Sequence, residues 1–253
     1  MYKTENKVTK DISIIIPLNN EEKSIVPLFQ QLKKVLNTLD KSYEVIFVDD
    51  GSEDGTYQKL CEIYKSNNYV TIIKLSINFG QSVSLTAGFD FARGKIIITM
   101  DGDFQHDPVD LPRFIEKICM GYEIVNGWKR QRNDNIITRR IPALIVNSII
   151  RFISGIDIQD SVSTYRAYRR EIMDNIRLYN GFHRLVPILI KKTKVSICEI
   201  EIKCNERKYG KSHYGLGRIK RVIMDFCLLL VMQNKLKGDS NPVYSISEIK
   251  FCG

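Results

Sequence analysis

"GKIIITMDGDFQHDP", residues 94–108, joins two stretches of opposite character. Ile96, Ile97, Ile98, Thr99 and Met100 form an apolar, largely β-branched run, the composition of a strand buried on both faces. Three aspartates and a histidine follow at once, between Asp101 and Pro108. A buried strand that runs into carboxylates fits an open parallel sheet, where ligands gather at the carboxyl ends of the strands. In the D-x-D of Asp101 and Asp103 both carboxylates can reach one hard cation, Mg²⁺ or Mn²⁺, and bridge it to a diphosphate, with Gln105 offering an amide oxygen. The same residues also fit a solvated acidic loop in which Asp107 caps a helix at Pro108.

The neighbouring segments extend the pattern in both directions. "DISIII" (11–16), "YEVIFV" (43–48), "VTIIKL" (70–75), "KIIITM" (95–100) and "EIVNG" (123–127) read as strands. Between them, a helix is predicted from Asn20 to Leu39, with Ile25, Leu28, Leu32, Val35, Leu36 and Leu39 on one stripe. "GTYQKLCEIYK" (55–65), "SVSLTAGFDFA" (82–92) and "VDLPRFIEKICM" (109–120) are further helices. Strands alternating with helices of this length imply parallel β-α-β units with helices on both faces of the sheet. Two other strand ends are polar: "VDDGSEDGT" (48–56) and "IIPLNNEE" (15–22). Gly51 and Gly55 fit a turn, and Asp54 can cap the next helix. A carboxylate there can also accept hydrogen bonds from a nucleobase. Three strand ends thus bring polar groups to one edge, a place for a nucleotide.

Beyond residue 130 the character changes. "WKRQRNDNIITRR" (128–140) carries five basic residues and one acid. "IPALIVNSIIRFISG" (141–155) and "RIKRVIMDFCLLLVM" (218–232) are apolar helices too short to span a bilayer, with basic neighbours suited to a headgroup layer; either can equally be a core helix. "VSICEIEIKC" (195–204) alternates as a half-exposed strand, with Ile200, Ile202 and Cys204 inward and Glu199, Glu201 and Lys203 outward. Between the last two lies "NERKYGKSHYGLG", basic and glycine-rich. The chain has 38 Lys and Arg against 29 Asp and Glu, a net +9, which suggests an anionic partner or a solvated basic surface. Six cysteines, no two spaced C-x-x-C, read as buried reduced thiols. The N-terminus is polar and resembles no secretory signal.

Taken in order, "IIPLNNEE", "VDDGSEDGT", "NFGQSVSLTAGFDFARGKIIITMDGDFQHDP", "GWKRQRND", "DSVSTYRAYRRE", "LYNGFHRLVP" and "RKYGKSHYGLGRIKRVIMD" resemble the family 2 glycosyltransferases. More narrowly they are similar to the polyprenyl-phosphate sugar transferases, over residues 11 to about 232. The resemblance implies a GT-A, Rossmann-like fold: a mixed, mostly parallel sheet flanked by helices, with C-terminal interfacial helices. It divides the chain into a flexible 1–10, a transferase domain 11–213, a juxtamembrane helix 214–233 and a polar tail 234–253. It implies that Pro17, Asn19, Glu21, Asp49, Asp50, Gly80, Gln81, Asp101 and Gly102 bind the nucleotide sugar. Asp101, Asp103 and Gln105 would hold Mg²⁺ or Mn²⁺. Arg130, Arg132, Arg207, Lys211 and Ser212 would grip an acceptor phosphate, and Asp160 is a catalytic or structural carboxylate. Where relatives often have D-x-G-C, this chain has Asp160-Ser161-Val162-Ser163.

The activity implied is metal-dependent, inverting transfer of a hexose from a UDP-glucose or GDP-mannose type donor to a polyprenyl phosphate. It would take place on the cytoplasmic face of the membrane, by a peripheral protein that either is truncated or docks without spanning, and that could form a homo-oligomer. An alternative is a peripheral transferase adding sugar to a polysaccharide or lipopolysaccharide hydroxyl, which would need a general base at Asp157 or Asp160. A nucleic-acid-binding role fits the charge but not the acidic strand ends, and no aromatic-basic motif accompanies it.

Overall fold

The computed structural model of the chain describes residues 8–129, 148, 151–152, 155–156, 158–160, 163–173, 186, 195–203 and 244–252. Among these, six strands come from segments predicted as strands: β1 (Lys10–Leu18), β2 (Tyr43–Asp49), β3 (Val70–Leu75), β4 (Gly94–Thr99), β5 (Ile124–Trp128) and, from the half-exposed segment 195–204, β7 (Ile197–Glu201). Two more complete the set, β6 (Arg166–Arg169) and β8 (Ile246–Lys250). They form one sheet in the order β7-β5-β6-β4-β1-β2-β3-β8. The centre, β4-β1-β2-β3, is parallel throughout, and β5 and β7 are parallel to each other. β6 runs antiparallel to β4 and β5, and β8 antiparallel to β3. The sheet is therefore mixed and mostly parallel, as expected.

The central strands are apolar on both sides because both faces are covered. Ile12, Ile14, Ile16, Val45, Phe47, Ile72 and Ile98 face one core, packed by α1 (Ile25–Leu36), α2 (Thr56–Lys65) and α4 (Leu111–Cys119). Ile15, Ile46, Val48, Ile73 and Ile97 face the other, covered by α3 (Gln81–Phe91). Helix α3 is buried almost all round, and its small residues are the reason it can lie flat on the sheet. A methyl group at Gly88 would sit 2.3 Å from the Ile15 side chain, so helix and strand meet there without a spacer.

Two boundaries differ from the sequence reading. Helix α1 starts at Ile25 rather than Asn20, because residues 20–22 are drawn into hydrogen bonds with the β2–α2 loop: Asn20 Oδ1 accepts from Glu53 N at 2.9 Å, and Glu22 N donates to Asp54 at 3.2 Å. The stretch read as a polar tail ends in β8, whose Ile246 and Ile249 pack on the α3 side of the sheet and remove the free edge of β3. Cys252 then donates its N–H to Thr71 Oγ1, and Tyr64 its hydroxyl to the Phe251 carbonyl. Of the described cysteines, all free, Cys252 alone is buried as expected; Cys61 and Cys198 are half-buried and Cys119 is exposed. The juxtamembrane segment 214–233 lies outside the described residues, and among the described residues no helix is long and apolar enough to cross a membrane.

Candidate active site

Four loops meet at the carboxyl edge of the central strands, joined by hydrogen bonds between side chains and backbone. In the β1–α1 loop, Asn19 Nδ2 donates to the Asp50 carbonyl at 2.7 Å, and Glu21 N to Thr56 Oγ1 at 2.8 Å. Pro17 lies beside them, in register with Val48 of β2. In the β2–α2 loop the two adjacent aspartates do different work. Asp50 is buried, and its two oxygens each accept a 2.8 Å bond, from Phe79 N and from Gly80 N. It thereby fixes the start of α3, where Gly80 adopts φ +90°. Asp49 is fully buried; Oδ1 accepts from Ser52 N at 3.2 Å, while Oδ2 has no hydrogen-bond partner. Burial pushes both carboxyls above their ordinary range, against the pull of these hydrogen bonds. Gly51 has φ +63°, and any side chain there would run into the backbone of Ile77 and Asn78.

The next loop carries the D-x-D. Asp101 Oδ1 accepts a 2.6 Å bond from Gln81 Nε2, which ties the acidic loop to the start of α3. Asp101 N donates to His106 Nδ1 at 3.2 Å, closing residues 101–106 on themselves. Asp103 Oδ1 accepts from Gln105 N at 3.1 Å, and Phe104 between them takes φ +64°. Gly102 is required by space: a methyl group there would overlap Leu18 Cδ2. Asp107 accepts from Val109 N at 3.0 Å and caps the short 3₁₀ turn Pro108–Asp110 that leads into α4. Capping and site formation thus coexist in one loop.

His106 is buried, and burial together with the nearby Lys129 charge lowers its pKa to about 3. Its ring is therefore neutral, and since Nδ1 accepts, the proton sits on Nε2. The 3.8 Å approach of Nδ1 to Asp101 Oδ2 is accordingly not an ion pair. Lys129 Nζ lies 3.5 Å from Gln105 Oε1 and brings a cation to the loop.

Asp160 is buried in a segment held over β5 and β7. Asn126 Nδ2 donates to the Asp160 carbonyl at 2.9 Å and to Glu199 Oε1 at 2.8 Å. Glu199 also accepts from Gln159 N at 2.6 Å and from Asp160 N at 3.3 Å. Buried Arg166 completes the clamp through a 2.6 Å bond from Nε to Asn126 Oδ1. The negative charges of Asp103 and Asp160 oppose the lowering of the His106 pKa by burial and Lys129.

The structure thus joins Asn19, Asp50, Gly80, Gln81 and Asp101 by hydrogen bonds, with Asp49, Glu21, Gly102, Asp103 and Gln105 in the same loops. Arg130, Arg132, Arg207, Lys211 and Ser212 lie outside the described residues, as does Asp157. Sequence reasoning assigned no role to His106, Lys129, Asn126, Arg166 or Glu199. Glu199 was expected on the solvent side of its strand, yet it is half-buried and engaged. A polar Asn in the middle of the short apolar strand β5 was the available signal.

The donor set suits a divalent cation. Among the described residues no group of three His, Cys, Asp or Glu side chains forms a closed cage. Asp101 and Asp103 are half-exposed oxygen donors, and a Mg²⁺-like ion held by one or two carboxylates and a substrate diphosphate needs no more.

Residues 13–177 match the family described as Glycosyl transferase family 2. The chain belongs to that family. It is 34% identical over 226 residues to dodecaprenyl-phosphate galacturonate synthase of Rhizobium johnstonii, covering 88% of this chain and 66% of that protein. It is 32% identical to undecaprenyl-phosphate 4-deoxy-4-formamido-L-arabinose transferase of Aeromonas hydrophila, covering 87% of this chain and 68% of the relative. The chain thus spans about two thirds of the length of these curated relatives. Glucosyl-3-phosphoglycerate synthase from Mycobacterium tuberculosis, solved with Mn²⁺, UDP-glucose and glycerol 3-phosphate, superposes with a TM-score of 0.66 at 15% identity, over 94% of this chain and 84% of its own. At that identity the likeness speaks for the GT-A fold.

Proposed function

We propose that this glycosyltransferase moves a sugar from a nucleotide-diphosphate sugar to a polyprenyl phosphate at a membrane surface. The observation that carries the proposal is Asp101, held at its carboxylate by Gln81 and at its backbone by His106, on the edge where the strand-end loops converge. The acceptor class is supported by the two polyprenyl-phosphate relatives, whose likeness runs through most of the chain.

In this reading Asp49 and the loop of Asn19 and Glu21 line the base and ribose side. Asp49 Oδ2 has no hydrogen-bond partner but is covered by the chain, so a base N–H reaches it only when the loops around it part. Asp101, Asp103 and Gln105 would hold Mg²⁺ or Mn²⁺, which supplies neutralisation of the charge developing on the departing diphosphate. Lys129, beside Gln105, adds a fixed cation to the same region. The acceptor oxygen of a phosphate monoester, with a second pKa of ~6, is already ionised near neutrality, so no residue need remove a proton from it. Its attack on the anomeric carbon forms a C–O bond as the bond to the β-phosphate oxygen breaks, and the electron pair leaves with the nucleoside diphosphate. A single displacement inverts the anomeric centre. Asp160, clamped by Asn126 and Glu199, orients the acceptor side. Arg130, Arg132, Arg207, Lys211 and Ser212 are assigned to the acceptor phosphate. Phe152, 90% exposed and next to Arg151, is suited to a headgroup layer on the cytoplasmic side.

The test is transfer from a panel of UDP- and GDP-sugars to undecaprenyl phosphate in detergent or vesicles, with Mn²⁺, Mg²⁺ or EDTA. Lipid-linked product that disappears in EDTA and with Asp103→Ala is expected. Transfer only to sugar hydroxyls would overturn the acceptor assignment, and undiminished transfer in EDTA the metal.

A further inference from the structure

The geometry points to His106 as a positioning residue for the divalent cation, acting through the backbone of Asp101. This rests on the reading of Asp101 and Asp103 as cation ligands.

His106 stands at the crossing of two constraints. On one side Nδ1 is the acceptor for the Asp101 amide N–H at 3.2 Å. That bond sets the direction in which the chain leaves β4, and with it the point from which the Asp101 carboxylate reaches Gln81. On the other side the imidazole packs on the buried ring of Tyr165, with centroids 5.1 Å apart and planes tilted by 31°. Tyr165 in turn packs on Phe114 of α4, with centroids 4.4 Å apart, and its hydroxyl donates to the Asp107 carbonyl at 3.2 Å. The acidic loop is therefore not a free turn. It is pinned through one ring to the chain that enters β6 and to α4.

A cation site with only two carboxylates has little coordination redundancy, so its affinity depends on the spacing of those carboxylates before the ion arrives. Phe104, directly after Asp103, takes a left-handed backbone that makes the loop's shape costly to hold, and the loop needs an external fixed point. The described contacts provide one on the carboxylate side, Gln81, and one on the backbone side, His106.

Two substitutions separate the acceptor function from packing. His106→Asn places an amide oxygen on the atom corresponding to Nδ1 and discards the ring. His106→Phe keeps a ring against Tyr165 and discards the acceptor. Mn²⁺ binding in the presence of UDP, followed by electron paramagnetic resonance, reads the site without turnover, and thermal unfolding of each variant reads packing. The expected result is a weakening of Mn²⁺ binding by ~10-fold or more in His106→Phe, the loss of one buried hydrogen bond, and near-normal binding in His106→Asn. That order should hold even where His106→Asn is the less thermostable of the two. The assignment is overturned if affinity follows thermostability instead, or if both variants bind Mn²⁺ like the parent. If the unsubstituted protein binds no Mn²⁺ with UDP, the metal reading fails, and this assignment with it.

Discussion

Asp50→Ala should unfold the protein at markedly lower temperature, although the residue sits in a loop at the ligand edge. Its carboxylate is buried and accepts two 2.8 Å bonds, from Phe79 N and Gly80 N. A hydrogen bond to a charged group contributes ~1.5–3 kcal/mol, and an orphaned buried N–H costs ~1–3 kcal/mol. Against this stands the burial that pushes the Asp50 carboxyl upward, which shows that the ionised form is not free of cost where it lies. Taking the low end for each of the two bonds leaves a net loss of about 3 kcal/mol. For a domain of this size that corresponds to a fall of ~6–12 °C in Tm. Asp50→Asn keeps one acceptor and turns an NH₂ toward the other N–H, so it should fall between the two. Circular dichroism melts at neutral pH, without nucleotide, measure the effect. A melting point for Asp50→Ala within 2 °C of the parent would refute the view that Asp50 holds α3 in place.

Asp49→Asn should behave in the opposite way. It removes a buried charge with an unpartnered oxygen and so should stabilise the apo protein by ~1 kcal/mol at neutral pH while raising the donor KM roughly tenfold. Because burial raises the folded pKa above the unfolded one, the parent gains stability as pH falls through that folded value. The variant's advantage should therefore shrink on acidification, and melts from pH 8 to 5 that show a constant or growing gap would contradict this. Glu199→Ala removes the acceptor for Gln159 N, Asp160 N and Asn126 Nδ2, and should lower kcat by ~10-fold or more with donor KM nearly unchanged; a KM effect alone would detach the clamp from the acceptor side. Deleting residues 244–253 uncovers the edge of β3 and should promote self-association, read by light scattering at fixed concentration.

The parallel centre of the fold was legible because its signal is periodic and local: four apolar strands, each followed by a helix or a polar turn. The site was legible as an edge but not as a set of roles. Asp49 and Asp50 are chemically identical neighbours in sequence, and only the arrival of Phe79 and Gly80 from another loop separates them. Glu199 was misplaced because period-two alternation assigns a face to a residue, not a destiny to its carboxylate. That face is covered by the loop of Gln159 and Asp160, which no local pattern announces. β8 was missed for the same reason: a polar five-residue strand has meaning only once β3 offers an edge.

The two ends of the sheet divide their charged groups in a way that separates stability from function. At the amino end, buried Glu44 accepts from Ser13 Oγ at 2.6 Å, from Arg93 N at 2.6 Å and from the Arg93 guanidinium at 2.9 Å, a carboxylate surrounded by donors. At the carboxyl end the buried Asp49 keeps an oxygen without a donor. The two non-glycine residues with left-handed backbone among those described, Asn20 and Phe104, are both at the carboxyl end as well. Each such feature costs free energy in the folded chain, of order 1–3 kcal/mol. A chain able to saturate Glu44 so fully has no difficulty satisfying a carboxylate, so the orphaned oxygen and the strained turns at the opposite end are where the proposed ligand would supply a compensating interaction. In the proposed function a nucleotide sugar with its cation would supply donors to Asp49 and charge to Asp101 and Asp103, and under saturating UDP and Mn²⁺ the melting temperature should then rise more in the parent than in Asp49→Asn.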